Sequence, residues 1–258
     1  MDQKRYQPKT KKTFSLKSLS KKQWIIILAA IAAAAVLLLL LVFLPKAEEA
    51  AEEEDWMEIA ETVELTGLKA VIDAGHGGFD NGTVGVSTGR LEKEVNLEIA
   101  KRLQAAMANE GMNVVMTRET GDAIAPSKDE DMDKRVNIIL EEAPDMFISI
   151  HQNSAENAEA TGPQVFYLMD GSEGKKLAVA IQQSLNDQLE IESPRIALAG
   201  DYTLLKPGAQ PSCIVECGFF SNAEEEKLLQ TPEYQEKIVA AIIDGVKLYV
   251  MEHLNVES

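Results

Sequence analysis

The chain has 258 residues with 42 acidic and 25 basic side chains, so its net charge is −17. Beyond residue 23 it is acidic and has no basic stripe, which excludes a nucleic-acid partner, because phosphate binding requires grouped Lys and Arg side chains. Its 45% hydrophobic content supports a packed core. With only two cysteines, it is neither a disulfide scaffold nor a four-cysteine zinc module.

The N-terminus combines a basic tail with an apolar segment. Residues 1–23 carry eight basic and one acidic side chain, and residues 24–44 contain no charge and no proline. As a helix, 24–44 would span about 30 Å, the thickness of a hydrocarbon core. We expect a single-pass anchor in the cell membrane, with 1–23 cytoplasmic and the body extracytoplasmic. A cleaved signal peptide is the alternative, although its apolar region is usually only about 7–15 residues long.

Residues 45–67 are predicted to be an acidic spacer. Nine acidic residues lie in its central part, and their mutual repulsion favours an extended chain. A short amphipathic helix is the alternative, because four apolar residues recur there at helical spacing: Trp56, Ile59, Ala60 and Val63.

From residue 68 onward, short apolar strands alternate with amphipathic helices. Strands are predicted at 68–75, 113–119, 146–153, 163–169, 202–206 and 212–220. Helices are predicted at 92–110, 133–143, 173–190 and 232–254. This alternation is typical of an α/β fold with a mostly parallel sheet of about six strands and helices on both faces. We therefore assign 68–258 to a single catalytic domain.

Four polar residues are predicted to meet at one edge of this sheet. His76 follows the first strand, His151 and Glu216 lie in later strands, and Glu92 opens the first helix. Ligands of open α/β sheets bind beyond the carboxyl ends of the strands. Two histidines and one carboxylate are a common catalytic zinc set, and a second carboxylate can act as the base. The alternative for Glu92 is a structural role at the positive end of its helix.

Two other patterns are weaker. Residues 85–89 match the GxSxG pattern of serine hydrolases, with Ser87 as nucleophile and Asp145 and His151 as partners, but a glycine-rich loop precedes them instead of a strand. Cys213 and Cys217 lie four residues apart in a strand, about 13 Å between Cα atoms, which is too far for a disulfide. We expect both cysteines to be core residues.

Six runs of sequence together resemble the zinc-dependent N-acetylmuramoyl-L-alanine amidases of bacterial cell walls, the amidase type 3 family. The runs are VIDAGHGGFDNG (71–82), LEKEVNLEIAKRL (91–103), VMTRET (115–120), FISIHQNS (147–154), GPQVFYL (162–168) and PSCIVECGFFSNAEE (211–225). The resemblance covers residues 68–254. It implies hydrolysis of the amide between N-acetylmuramic acid and the L-alanine of the peptidoglycan stem peptide.

When the family's functional residues are carried over to the matching positions of this sequence, the resemblance implies roles for individual residues. His76, Glu92 and His151 would bind one Zn²⁺ per domain, and Glu216 would be the catalytic carboxylate. Glu92 is chosen over Glu94 because the family has a Glu-Lys pair at this position. Three further residues match recurrent family positions without a clear role: Arg118, Arg135 and Asn153.

Finer features of the resemblance concern regulation and biological role. Only ten residues follow His151 before Gly162, so the inserted blocking helix of some family members is not expected. The single-domain layout and the apolar N-terminal segment look most like the germination-specific amidases of spore formers, which act during cortex maturation. The implied partners are peptidoglycan and, through 24–44, the membrane; an activating protein is left open. The alternatives are a non-catalytic peptidoglycan-binding module, or a zinc peptidase or deacetylase acting on the same polymer.

Overall fold

A computed structural model describes residues 20–22, 24–25, 28, 63–168 and 172–254, except for the side chain of Ser172. The chain divides into two compact units, residues 1–55 and 56–258. In the first unit, the described residues 21, 22, 24, 25 and 28 are helical. The rest of the predicted tail and anchor, and the spacer up to residue 62, lie outside the described residues. Within the described part of the chain, no helix is both long enough and apolar enough to cross a membrane.

The described residues between 63 and 254 form six strands and five α-helices. The strands are β1 (Lys69–Ala74), β2 (Asn113–Met116), β3 (Met146–Asn153), β4 (Gln164–Tyr167), β5 (Leu198–Ala199) and β6 (Ser212–Phe219). The helices are α1 (Glu92–Asn109), α2 (Lys128–Glu142), α3 (Ser172–Gln188), α4 (Ala223–Leu229) and α5 (Pro232–His253). The predicted α/β class is confirmed.

The six strands form one sheet in the order β2-β1-β3-β6-β4-β5. Neighbouring strands are parallel, except that β4 runs antiparallel to β6. The central strands β1, β3 and β6 therefore direct their carboxyl ends to the same edge. This is the edge at which the sequence places its polar residues.

Helices cover both faces of the sheet, as predicted. Because side chains alternate along a strand, Ile72 of β1 packs into the larger core with α1, α3 and α5, whereas the adjacent Val71 faces the opposite way. Val71 packs with Phe147 and with Ile139 of α2 in a smaller core. Leu65, from the segment assigned to the spacer, is also buried in the larger core.

Two predictions about elements are wrong, and two elements, β5 and α4, were not predicted. The strand at 202–206 is instead a 3₁₀ helix, Thr203–Leu205, whose Leu204 fills the smaller core, and β5 takes the edge position. Helix α2 begins at Lys128 and not at 133, because the Ser127 hydroxyl caps it by accepting from the Glu130 amide.

The cysteines agree with the prediction. Cys213 and Cys217 are buried free thiols on the larger-core side of β6. Burial raises the pKa of both thiols, so they stay protonated and chemically quiet at neutral pH.

Candidate active site

The four predicted site residues come together at the carboxyl edge of the sheet. His76 lies two residues beyond β1, in a left-handed conformation with φ of 62°. Glu92 is the first residue of α1. His151 and Glu216 occupy the same register position on the parallel strands β3 and β6. The topology therefore gathers residues that are far apart in sequence.

Glu92 lies between the two histidines. Its Oε1 is 3.2 Å from Nε2 of His76 and 3.0 Å from Nδ1 of His151. The histidine rings stand edge to face with centroids 4.9 Å apart. One donor atom from each of the three residues lies within 4.8 Å of the others, so the group could hold a metal ion.

The backbone and neighbouring side chains fix the Glu92 carboxylate in place. Oε2 accepts from the Thr83 amide at 2.7 Å, and Oε1 accepts from the Gln152 amide at 3.1 Å and the Asn96 side chain at 3.2 Å. Only 3% of Glu92 is exposed. Burial alone would raise its pKa, but the hydrogen bonds and charges of His151 and His76 lower it well below the usual range. Glu92 is therefore held as an anion.

His151 shows the reciprocal effect. Burial would lower its pKa, yet the hydrogen bond to Glu92 and the charges of Glu216 and Glu92 raise it to about 9. The negative potential that favours a proton on His151 also favours a metal cation at the same place.

Asp80 is a site residue that the sequence reasoning did not assign. Its Oδ1 is 3.1 Å from Nδ1 of His76, and its Oδ2 is 3.0 Å from Nζ of Lys128. Burial opposes ionisation of Asp80, but Lys128 and His76 lower its pKa to about 2. A carboxylate on one ring nitrogen is the usual support of a metal-binding histidine, whose other nitrogen it leaves for the metal. His76 and Asp80 both lie in the run GHGGFDNG, residues 75–82. Their spacing in the sequence does not show that the turn between them brings the two side chains together.

Glu216 differs from the other carboxylates because its Oε2 is buried and has no hydrogen-bond partner among the described residues. Burial raises the pKa of Glu216 to about 7, against the opposing charge of His151. A carboxyl group that titrates near neutrality can both accept and return a proton.

The site has the size and chemistry for a small cation. A Cβ added at Gly75 would collide with the His151 imidazole, and one at Gly82 would collide with Glu92 and His76. Glycine at these two positions therefore leaves room for the three donor groups to converge. Two imidazoles and one carboxylate, with a further carboxyl group alongside, suit a zinc ion.

A cavity of about 120 Å³ opens beside the two histidines on the α2 side of the sheet. Its wall includes Phe79, which is 53% exposed, and Leu204 of the 3₁₀ helix, and Lys128 stands at its rim. The edge of the sheet is therefore open to a ligand.

The serine-hydrolase alternative is wrong. The Ser87 hydroxyl donates to the Ala223 carbonyl at 3.1 Å, whereas His151 bonds to Glu92. Asp145 lies at the opposite end of the sheet, where it accepts from the Lys69 amide that begins β1. The three residues are not brought together.

Comparison with known proteins agrees with the site. Residues 70–248, from β1 to α5, match the family described as N-acetylmuramoyl-L-alanine amidase. The chain belongs to this family. It is 34% identical over 199 residues to the germination-specific N-acetylmuramoyl-L-alanine amidase of Bacillus subtilis, a match covering 74% of this chain and 83% of the relative.

Solved structures of amidases share the fold. The CwlD amidase of Clostridioides difficile, solved in complex with the GerS lipoprotein, is 34% identical with a TM-score of 0.69, covering 72% of this amidase and 99% of that chain. The catalytic domain of CwlV from Bacillus (Paenibacillus) polymyxa is 27% identical with a TM-score of 0.64, covering 71% and 98%. The described connection from β3 to β4 contains no helix.

Proposed function

We propose that the protein is a zinc-dependent cell-wall amidase that cleaves the bond between N-acetylmuramic acid and the L-alanine of the stem peptide. Membership of the amidase family supports the reaction class. The observation that carries the proposal is the Oε2 atom of Glu216, which is buried beside the group formed by His76, Glu92 and His151 and has no hydrogen-bond partner in the described part of the chain. A buried carboxyl oxygen without a partner is costly in a site that is only structural.

His76, Glu92 and His151 would hold the zinc ion. When bound, zinc would polarise the scissile carbonyl and lower the pKa of a water molecule to about 7. Glu216 accepts the proton of the attacking water at Oε2 and returns a proton to the nitrogen of the leaving L-alanine. Its pKa of about 7 suits both transfers. Asp80 keeps His76 oriented through Nδ1.

Mass spectrometry of peptidoglycan digested by the full-length protein tests the reaction. We expect glycan strands that have lost their stem peptides, and free stem peptides that begin with L-alanine. Cuts between amino acids would indicate a peptidase, and loss of acetyl groups would indicate a deacetylase. Binding without any cleavage would indicate a peptidoglycan-binding module. The same digest with Glu216→Gln controls for contaminating hydrolases.

We also propose that residues 24–44 anchor the amidase in the cell membrane with its catalytic domain outside. The proposal rests on the apolar segment and the basic residues before it, and it places the site on the side where peptidoglycan lies. Full-length protein should sediment with membranes and resist extraction by high salt, and external protease should remove the domain. A soluble mature protein that begins near Ala47 would support a cleaved signal peptide.

Two relatives suggest a role in sporulation and a protein partner. The Bacillus subtilis relative is described as germination-specific, and the Clostridioides difficile structure contains a lipoprotein bound to the amidase. We propose that this chain acts on the spore cortex and is assisted by an extracytoplasmic protein. Deletion of its gene should impair spore germination and leave vegetative growth normal. A defect confined to growing cells would contradict the proposal.

A further inference from the structure

The backbone that presents His76 has an unusual conformation. His76, Gly77 and Gly78 have positive φ values of 62°, 140° and 54° in succession. A non-glycine residue rarely adopts this region, and it persists only where its surroundings hold it. The groups that hold this turn therefore matter for the direction of the His76 imidazole.

Arg135 of α2 is one such group. Its two terminal nitrogens donate to the His76 carbonyl at 2.6 Å and to the Ala74 carbonyl at 3.0 Å. The same guanidinium pairs with Asp73 and with Asp131, each at 2.6 Å. Only 2% of Arg135 is exposed. One planar cation thus ties the turn to β1 and to α2.

Arg118, just beyond β2, approaches the same turn from another direction. Its Nε donates to the Ala74 carbonyl at 2.7 Å, and one terminal nitrogen donates to the Gly75 carbonyl at 3.0 Å and the Lys93 carbonyl at 2.7 Å. Lys93 follows Glu92 in α1, so this contact also joins the two segments that carry the expected metal ligands His76 and Glu92.

The charges in this cluster are balanced. Two buried guanidinium groups next to a cation site would repel a metal ion, but Asp73 and Asp131 offset them. Asp73 also accepts from the hydroxyls of Thr117 and Ser149, each at 2.6 Å. The arginines can therefore bind the backbone carbonyls without imposing a net positive potential on the site.

We propose that Arg118 and Arg135 are positioning residues that fix His76 in its left-handed conformation, and so hold the metal site in a binding-ready shape before the metal arrives. As far as the metal is concerned, the inference rests on the proposed function. Arginine is required because its planar fork reaches several carbonyls at once, whereas lysine offers a single point charge.

Arg135→Lys and Arg118→Lys test the inference in the full-length protein, since both variants retain the positive charge. The matched control is Arg102→Lys in α1, where Arg102 pairs with Glu236 at the surface. Zinc affinity of the metal-free proteins is measured by competition with a chelator. We expect both variants to bind zinc about 10–100-fold more weakly, as for other groups that support metal ligands, and the control to match the wild type.

A second measurement needs no metal. The chain has three histidines, so the imidazole resonances of the metal-free protein can be assigned by NMR. We expect the His76 resonances to shift or broaden in both variants, whereas those of His253, at the end of α5, should not change. This readout tests the inference even if the wild-type protein bound no zinc, an outcome that would contradict only the proposed cofactor.

Thermal unfolding of the metal-free proteins separates positioning from a purely structural role. Unchanged zinc affinity and unchanged His76 resonances, with a lower unfolding temperature, would overturn the inference. If Arg135→Lys fails to fold because Asp73 and Asp131 lose a good partner, Arg118→Lys alone tests the inference. Among the described residues, the guanidinium of Arg118 donates only to backbone carbonyls, so its replacement leaves no buried charge unpaired.

Discussion

His151 and Glu216 stand side by side at the same register position of the parallel strands β3 and β6. One of them contacts Glu92, and the other has a carboxyl oxygen with no partner among the described residues. The sheet backbone thus sets the spacing between an expected metal ligand and the expected base, so that neither depends on a mobile loop for its position.

Replacing Glu216 by Gln should separate metal binding from catalysis. Glutamine has nearly the same shape but cannot accept a proton from water, so kcat should fall by about 10²–10⁴-fold. Zinc content and unfolding temperature should stay close to those of the wild type, because Glu216 is not in the three-residue group. Measured kcat, KM and zinc content of the purified full-length variant check this.

Two results would contradict the assignment of Glu216. Full activity in Glu216→Gln would remove it from the mechanism. Loss of zinc from a folded variant would make Glu216 a fourth ligand, and a site closed in that way is typical of structural zinc.

The choice of Glu92 over Glu94 can be tested by paired substitutions. Glu92 is buried between the histidines, whereas Glu94 lies 3.5 Å from Arg90 with about half of its side chain exposed. We expect Glu92→Ala, like His76→Ala and His151→Ala, to lose most of its zinc by elemental analysis. Glu94→Ala should keep it. The reverse pattern would shift the ligand by two residues.

The sequence was sufficient for the parts of the site that follow from topology. Parallel strands end at a common edge, so the strand pattern alone places His76, His151 and Glu216 together. Asp80 and Arg135 could not be found in this way, because their contacts with His76 depend on a left-handed turn that no periodicity encodes.

The wrong strand at 202–206 has a different cause. A short apolar run such as YTLLK fits a strand as well as a buried turn, and only the position of Leu204 in the smaller core decides between them. Helix α4 was missed because its first turn is acidic and its two large apolar residues come only at the end. Asn222 is nevertheless a good cap, because its side chain accepts from two amides of α4.

Glu226 of this missed helix should be important for stability. It is fully buried and accepts from the amides of Ser87 and Thr88, from the Thr88 hydroxyl and from the side chain of Gln230. In Glu226→Gln, the new side-chain NH2 group cannot accept hydrogen bonds from these donors, so some of them would lose their partner. We expect the free energy of unfolding, measured in urea, to fall by about 1–3 kcal/mol.

The neighbouring Glu224 provides the control for this prediction. Its side chain is 87% exposed and pairs with Lys227 in the same helix. Glu224→Gln should lower the free energy of unfolding by less than about 1 kcal/mol. Equal losses in the two variants would mean that the buried contacts of Glu226 add nothing beyond its charge near the start of α4.

Asp73 should make the fold sensitive to acid. Burial alone would raise its pKa, but the charge of Arg135 and the hydroxyls of Ser149 and Thr117 outweigh burial and lower it. The unfolded chain has the ordinary aspartate pKa of about 3.9. A carboxyl group whose pKa is lower in the folded state stabilises the fold above the unfolded pKa, and this stabilisation is lost as the pH falls towards the folded value.

Urea unfolding of the wild type and of Asp73→Asn between pH 7 and pH 3 tests whether the stability due to Asp73 is lost as the pH falls. At pH 7 the variant should be less stable by about 3–5 kcal/mol, because Arg135 loses its buried counter-ion. That difference should hold down to about pH 5 and shrink below about pH 4, where the unfolded wild-type chain takes up a proton at Asp73 that the folded protein does not yet bind. Asp201→Asn, which loses an exposed pair with Lys206, should follow the wild type throughout. A gap between wild type and Asp73→Asn that stayed constant into acid would mean that hydrogen bonding, and not the charge of Asp73, holds this part of the sheet together.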